Sequence, residues 1–322
     1  MYKYYGNKGK RFYAEIRATM PSYYSRSVEF CAGLASMTRT LIPPDRHRTI
    51  IEKDPGMVAL LKVTRDRPVE FAGAMNMIPY NRESFELAAD IRDNEYDGCK
   101  DDIVAACTKK ILTDLSYNAA CKSYRDIDKP ETMINEKDPL RCHIKALQYR
   151  ERYYRQIIPD VLRMSDELQG VEIIHDDFMN HLSKLNDERL FAVIDPPYRP
   201  AVRQTKTGYD YDMTDEEHMR FLKKLQEISK SGLLTSKVMI FSFVQEECLS
   251  QDLYCQYLLP IGFRLIVLKE IYLPKVVREG MVKKKTKRSE CIFINYDDCL
   301  ESSYVTADRV FDYAKVFGKG RL

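Results

Sequence analysis

The stretch Leu190-Phe191-Ala192-Val193-Ile194-Asp195-Pro196-Pro197-Tyr198 is an apolar run followed by an acid, two prolines and an aromatic residue. Its apolar part predicts a short buried strand. The prolines have a fixed φ and no N–H, so they predict a stiff turn in which the carbonyl of Pro196 can accept a hydrogen bond. Asp195 adds a second acceptor, and Tyr198 adds a ring that can stack on a flat molecule. The stretch therefore predicts a binding site for an exocyclic amine, although a turn that only ends a strand fits the last four residues equally well.

A second pattern lies in the N-terminal part of the chain. Apolar residues run into small ones at Val28–Ala35, and a segment of helical character separates them from Thr49–Asp54, an apolar run that ends in acids. Ligands of parallel α/β sheets bind outside the carboxyl ends of the strands. Small residues at 32, 33 and 35 allow close approach of the backbone to a ligand, and an acid about 20 residues later suits ribose hydroxyls. The pattern predicts an α/β fold with a nucleotide-type cofactor site.

Three motifs together carry a resemblance to a known family. Lys3-Tyr4-Tyr5-Gly6-Asn7-Lys8 is similar to the K-W-x-G-G-K loop of the D12-class DNA N6-adenine methyltransferases, Glu29–Ala35 to their E-P-F-x-G-x-G turn, and Asp195–Tyr198 to their D-P-P-Y motif. The second motif lacks the proline and keeps one of the two glycines, so a position there that needs a positive φ would be strained. The resemblance covers most of the chain. It implies an α/β fold with a class I, Rossmann-like, S-adenosylmethionine-dependent methyltransferase sheet and an inserted small helical domain.

The resemblance implies S-adenosyl-L-methionine as the cofactor. An acidic-Phe pair before the catalytic strand matches Asp177-Phe178, which we prefer to the neighbouring Asp176 as the acceptor for the adenine amino group of the cofactor. The acid after the second strand matches Glu52. The cofactor-binding residues implied in this way are Tyr4, Lys8, Phe30, Ala32, Gly33, Glu52, Asp54, Asp177, Phe178 and Asp195.

The implied reaction is methyl transfer to N6 of adenine in a specific sequence of double-stranded DNA, with the base flipped into a pocket. The implied catalytic residues are Asp195, Pro196, Pro197 and Tyr198. Asp195 and the carbonyl of Pro196 accept from the amino group, and Tyr198 stacks on the base. No metal is expected, because the sulfonium group is already activated.

Two alternatives stay open. The same scaffold can methylate an amine in RNA or protein, although such enzymes more often carry N-P-P-Y. The glycine-poor turn at Glu29–Ala35 also suits a non-catalytic member that binds nucleic acid. The sequence leaves open the recognised DNA site, the presence of a cognate restriction endonuclease and the oligomeric state.

The middle of the chain predicts a separate helical region. Residues 80–166 lack buried strand patterns and contain candidate helices at 83–92, 102–115 and 141–164. We therefore predict a catalytic domain of residues 1–79 and 167–322 with an insertion at 80–166. The resemblance implies that this insertion recognises the target DNA.

Two basic segments are candidates for DNA contacts. The first interleaves Arg150, Arg152 and Arg155 with tyrosines, although a solvated helix explains it equally well. The second lies between the apolar runs 263–272 and 291–296 and predicts a hairpin with a basic tip, or else a solvated loop. Its candidate residues are Lys283, Lys284, Lys285 and Lys287.

Three smaller predictions concern single residues. Thr214 and Glu217 have the spacing of a capping box at the start of a helix. His218 lies on the apolar stripe of that helix and is expected to be a packing residue. Glu290 precedes the apolar run 291–296 and is either functional or structural.

Composition sets limits on these predictions. The chain of 322 residues has a net charge of +3, so nucleic-acid affinity must come from local patches. Its nine cysteines show no C-x-x-C pair, which predicts free thiols in a reducing cytoplasm. No apolar run approaches the ~20 residues that span a membrane, so we expect a cytoplasmic protein with no membrane partner.

Overall fold

The computed structural model describes residues 12–94, 101–125, 138–199, 211–268, 289–298 and 306–318. These residues form an α/β fold. They divide into two compact units. The first unit consists of residues 32–176 with 211–212, and the second consists of the described residues of 12–31, 177–199 and 213–318.

The described strands are β1 Arg26–Phe30, β2 His47–Glu52, β3 Val171–His175, β4 Leu190–Ile194, β5 Lys237–Val244, β6 Arg264–Val267, β7 Ser289–Ile294 and β8 Val310–Phe311. The described α-helices are α1 Tyr13–Thr19, α2 Ser36–Thr40, α3 Pro55–Asp66, α4 Pro68–Met77, α5 Arg82–Asn94, α6 Asp102–Asp114, α7 Pro139–Leu168, α8 Asp215–Lys230, α9 Leu253–Leu258 and α10 Tyr313–Phe317. None of the described helices is both long and apolar enough to cross a membrane.

The first unit combines a parallel strand pair with a large set of helices. β2 and β3 pair in parallel with Ile50 opposite Ile173. Helices α3 and α4 pack against α6 and α7, and the core between them is apolar. Helices α5, α6 and α7 confirm the three helices predicted in the middle of the chain. The boundaries at 79/80 and 166/167 stay predictions, and residues 80–166 share this unit with β2 and β3.

The second unit contains a mixed sheet with the strand order β1-β4-β5-β7-β6-β8. β1, β4 and β5 are parallel, and β7 lies between β5 and β6, antiparallel to both. β4 lies beside β1 although β2 and β3 intervene in the sequence, with Ile194 opposite Phe30 at the carboxyl ends. The crevice outside the carboxyl ends of such a pair is where open α/β sheets bind ligands.

The pairing of β6 with β7 confirms that the strands on either side of the second basic segment are antiparallel neighbours. Val267 lies opposite Cys291 at the end where the connection between the two strands begins. The connection itself, residues 269–288, lies outside the described residues. The predicted basic hairpin tip therefore stays a prediction.

The local predictions for the start of α8 are confirmed. Thr214 Oγ1 accepts a hydrogen bond from the backbone N–H of Glu217 at 3.2 Å, and Glu217 Oε2 accepts from the backbone N–H of Thr214 at 2.8 Å. This reciprocal pair is the capping box. His218 is fully buried, and its Nδ1 lies 2.8 Å from the hydroxyl of Tyr254. His218 is therefore a packing residue with a hydrogen-bond partner.

Candidate active site

The turn after β4 lies at the carboxyl ends of two neighbouring parallel strands. Asp195 follows the last residue of β4, and its backbone N–H donates to the carbonyl of Phe30 at the end of β1 at 3.4 Å. Pro196 is buried, whereas Asp195 is only partly buried. Asp195 and Pro196 therefore lie at the edge of the sheet where ligands of α/β folds bind.

The side chain of Tyr198 is fixed on two sides within the second unit. Its hydroxyl donates a hydrogen bond to Oε1 of Glu290 in β7. Its ring meets the ring of Phe243 at 4.4 Å with an interplanar angle of 65°, a T-shaped contact. Phe243 and Glu290 are themselves opposite each other in the β5/β7 pair. The sheet therefore sets the orientation of the Tyr198 ring.

Glu290 is buried, with 3% of its surface exposed. The sequence left its role open between function and structure. The structure places it against Tyr198, so it acts on the predicted catalytic turn through a hydrogen bond. The signal in the sequence is a lone acid inside an apolar strand, which needs a buried partner.

Phe30 and Phe178 are buried in the second unit as members of a row of aromatic rings. The rings of Phe30 and Phe178 are 6.3 Å apart, and those of Phe178 and Phe221 are 5.3 Å apart. Asp177 caps the short 3-10 helix that contains Phe178, because its Oδ1 accepts from the backbone N–H of Met179 at 3.0 Å. This cap fixes the position of the Phe178 ring between those of Phe30 and Phe221.

Glu52 organises the end of β2 in the first unit. Its Oε2 accepts from the backbone N–H of Gly33 at 2.8 Å, and its Oε1 accepts from the backbone N–H groups of Lys53 and Asp54, each at 2.9 Å. Burial, and then the nearby Asp54 carboxylate, raise the pKa of Glu52 above its ordinary value. A carboxylate has about four acceptor positions, and these contacts use three of those of Glu52.

Asp54 has both carboxylate oxygens engaged inside the first unit. Oδ1 caps α3 by accepting from the backbone N–H groups of Gly56 at 2.9 Å and Met57 at 3.1 Å. Oδ2 lies 2.5 Å from Nζ of Lys109 in α6, and both side chains are buried. These contacts give Asp54 a structural role at the end of β2.

Lys109 is the residue of this site that the sequence reasoning missed. A lysine in a helix usually lies on the solvated face, and sequence alone does not identify its partner. The signal that could have found it is the pair Lys109-Lys110 inside Ile103–Thr113, a run with no other charged residue. Lys110 is buried as well and pairs with Asp114.

The turn from Ala32 to Ala35 carries the strain that the missing glycine predicted. Gly33 has φ 51° and Ala35 has φ 53°, both in the left-handed region. Ala35 is fully buried, and its carbonyl accepts from the backbone N–H of Arg39 in α2. Left-handed backbone costs about 1–2 kcal/mol for a residue with a Cβ, and this cost falls on Ala35 and also on Cys31, whose φ is 53° as well.

The remaining predicted site residues differ in their exposure to solvent. Arg152 and Arg155 are exposed on α7, Arg150 is partly buried, and Arg155 lies 2.6 Å from Glu151. The candidates that lie outside the described residues are Tyr4, Lys8, Lys283, Lys284, Lys285 and Lys287. Asp195 and Tyr198 lie together with Glu290 in the second unit, and Gly33, Glu52 and Asp54 lie together in the first.

The site combines the partly buried Asp195, the buried Pro196 and the fixed ring of Tyr198. Within the described residues no group of three or more His, Cys, Asp or Glu side chains is placed to hold a metal. No protein-family model matches the chain. The comparison with curated proteins also gives no match.

Proposed function

We propose that this protein transfers a methyl group from S-adenosyl-L-methionine to the N6 amino group of adenine in DNA. The observation that carries the proposal is the fixed Tyr198 ring three residues after Asp195, at the carboxyl ends of β1 and β4. An exocyclic amine on a flat base needs hydrogen-bond acceptors in its plane and a ring against its face, and this turn supplies both.

Each residue of the turn has a separate task in this proposal. Asp195 accepts one hydrogen of the amino group and stabilises the positive charge that develops on nitrogen during transfer. The carbonyl of Pro196 accepts the other hydrogen, which directs the nitrogen lone pair out of the base plane. Tyr198 stacks on the base. The proton leaves to water after transfer, so Asp195 need not be a strong base.

The first unit is suited to the adenosine part of the cofactor. When bound, S-adenosylmethionine supplies an activated methyl group on a sulfonium centre. Glu52 has its orientation set by three backbone N–H groups and keeps acceptor capacity for a ribose hydroxyl. The adjacent turn contains Ala32 and Gly33, whose small size leaves room for close approach of a ligand. These features fit a nucleoside.

DNA binding in this proposal relies on local positive charge. The base must leave the duplex, and phosphate contacts hold the flanking strands. Arg152 is exposed on α7 and available to a phosphate, and the basic segment at 283–287 is the second candidate. We place the activity in the cytoplasm, where the free thiols of Cys107, Cys255 and Cys291 stay reduced.

The test is transfer of labelled methyl from S-adenosylmethionine to unmethylated genomic DNA, with the product nucleosides separated. We expect N6-methyladenine from the wild type and a loss of at least ~100-fold in Asp195→Ala. Asp45→Ala, which removes an exposed acid from a loop of the first unit, is the matched control and should keep full activity.

Other outcomes of this experiment separate the alternatives. Label in RNA or in protein with none in DNA would favour the same chemistry on another amine. No label in any acceptor, together with no binding of S-adenosylmethionine by calorimetry, would favour a non-catalytic protein that binds nucleic acid. Either outcome would overturn the proposal for DNA adenine.

A further inference from the structure

Helix α7 carries an apolar stripe on its exposed side. Leu140, Ile144, Leu147, Ile158 and Leu162 are each between 42% and 67% exposed. With 3.6 residues per turn, these positions lie within about 60° of arc on one face of an ideal straight helix. Single exposed apolar residues are normal on a protein surface, but several of them grouped on one face of a helix suit an interaction site.

The stripe is separate from the face that α7 uses for folding. Ile157, Val161, Met164 and Leu168 are buried in the core of the first unit. The stripe spans 23 of the 30 residues of α7, and its first and last residues are about 33 Å apart at a rise of 1.5 Å per residue. The stability of the first unit therefore does not require the stripe, and a partner helix of similar length would cover it.

The spacing of positions along the stripe is the same in both directions. Glu151 and Arg155 occupy its middle, so the stripe positions are 140, 144, 147, 151, 155, 158 and 162, with spacings of 4, 3, 4, 4, 3 and 4. An antiparallel second copy centred on Glu151 brings Leu140 opposite Leu162 and Ile144 opposite Ile158. It also lays Leu147 against the aliphatic stem of Arg155. A two-fold symmetric contact requires such a self-complementary surface.

The charges at the centre of the stripe are also self-complementary. Glu151 and Arg155 of one chain form an exposed pair at 2.6 Å. The two Glu151 side chains face each other at the two-fold axis and one Arg155 lies about one turn to either side, so each acid has a base from either chain within reach. The centre carries no net charge. A membrane surface or a DNA backbone would not match a stripe that is apolar at both ends and neutral in its middle.

We propose that α7 is a dimerisation surface, on which a second copy of this chain packs antiparallel with the two-fold axis at Glu151. The proposal does not depend on the methyltransferase assignment. It places Arg155 inside the dimer contact and leaves Arg152, like Arg141 and Arg163, exposed on α7 for other partners.

The experiment is sedimentation equilibrium of the full chain over a range of protein concentrations, with charge variants at the axis. Glu151→Arg places four bases at the axis and Arg155→Glu places four acids there. Each should weaken dimerisation at least ~10-fold. The double variant E151R/R155E exchanges the charges and should restore the dimer. Both residues are exposed, so these variants keep the fold, which circular dichroism checks.

A second pair of variants tests the apolar part of the contact. Leu147→Glu places a charge in the stripe and should convert the dimer to monomer. Leu87→Glu changes an exposed leucine of α5 and is the matched control, which should leave the dimer intact. A wild type that stays monomeric at every concentration would overturn the proposal. A dimer that is indifferent to Leu147→Glu and to the charge variants would overturn it equally, because its contact would lie elsewhere.

Discussion

The hydroxyl of Tyr198 donates a hydrogen bond to the buried carboxylate of Glu290, which lies 92 residues later in the chain. A residue of the candidate catalytic turn is thus held in place by a strand that lies much later in the sequence. Phe243, directly opposite Glu290, supports the ring of Tyr198 from the same sheet. The orientation of the stacking ring is consequently a property of the β5/β7 pair.

Replacement of Glu290 tests this relationship. Glu290→Ala leaves the buried hydroxyl of Tyr198 without its carboxylate acceptor, so the free energy of unfolding should fall by about 1–3 kcal/mol. On the proposed function, the KM for DNA should also rise, because the ring is no longer fixed. Urea unfolding and methyl-transfer kinetics measure the two effects. Glu290→Gln keeps an oxygen acceptor of similar size and should lose less in both, whereas equal losses would contradict the hydrogen-bond role.

Glu52 should make the stability of the protein depend on pH. Its pKa is raised above the ordinary 4.5 by burial and by Asp54, so the folded protein holds this proton more tightly than the unfolded chain does. As pH rises from about 4.5 through the pKa of the folded state, the wild type should therefore lose stability relative to Glu52→Gln. Urea unfolding of both proteins across this pH range is the measurement. A pH-independent difference would show that Glu52 has the same pKa in both states.

Ala35 should accept glycine with little change in stability. Ala35→Gly relieves a left-handed backbone, which gains about 1–2 kcal/mol, but it also loses about 0.8 kcal/mol for the buried methyl group and about 0.4–1 kcal/mol through the unfolded chain. Ala74→Gly in α4 is the control. It should destabilise by about 0.5–1 kcal/mol, because helical backbone favours alanine. Thermal unfolding compares them, and a loss in Ala35→Gly larger than that in Ala74→Gly would contradict the strain at this turn.

The sequence predicted the elements well and their long-range partners poorly. Helices α5, α6 and α7 and strands β1, β2, β4, β6 and β7 follow from apolar patterns, which are a local property of the sequence. The partner of Lys109 depends on which helix packs beside β2, and no local pattern contains that information. The hydrogen bond between Tyr198 and Glu290 is likewise not contained in any local sequence pattern. The strain at Ala35 could be predicted, because the preference for glycine at a position depends only on the backbone conformation of that one residue.

Lys109 should be the most sensitive charged residue of the first unit. Its ammonium lies 2.5 Å from Oδ2 of Asp54, and both side chains are buried. Lys109→Met leaves the Asp54 carboxylate buried without this cation, which costs about 3–5 kcal/mol in comparable pairs. Asp54→Asn in the same chain removes the charge and keeps an oxygen to cap α3, so the double variant should recover part of the loss. Urea unfolding of the wild type, the two single variants and the double variant gives the coupling energy. Additive losses in this cycle would mean that the ion pair contributes nothing and that Lys109 acts only through its apolar stem.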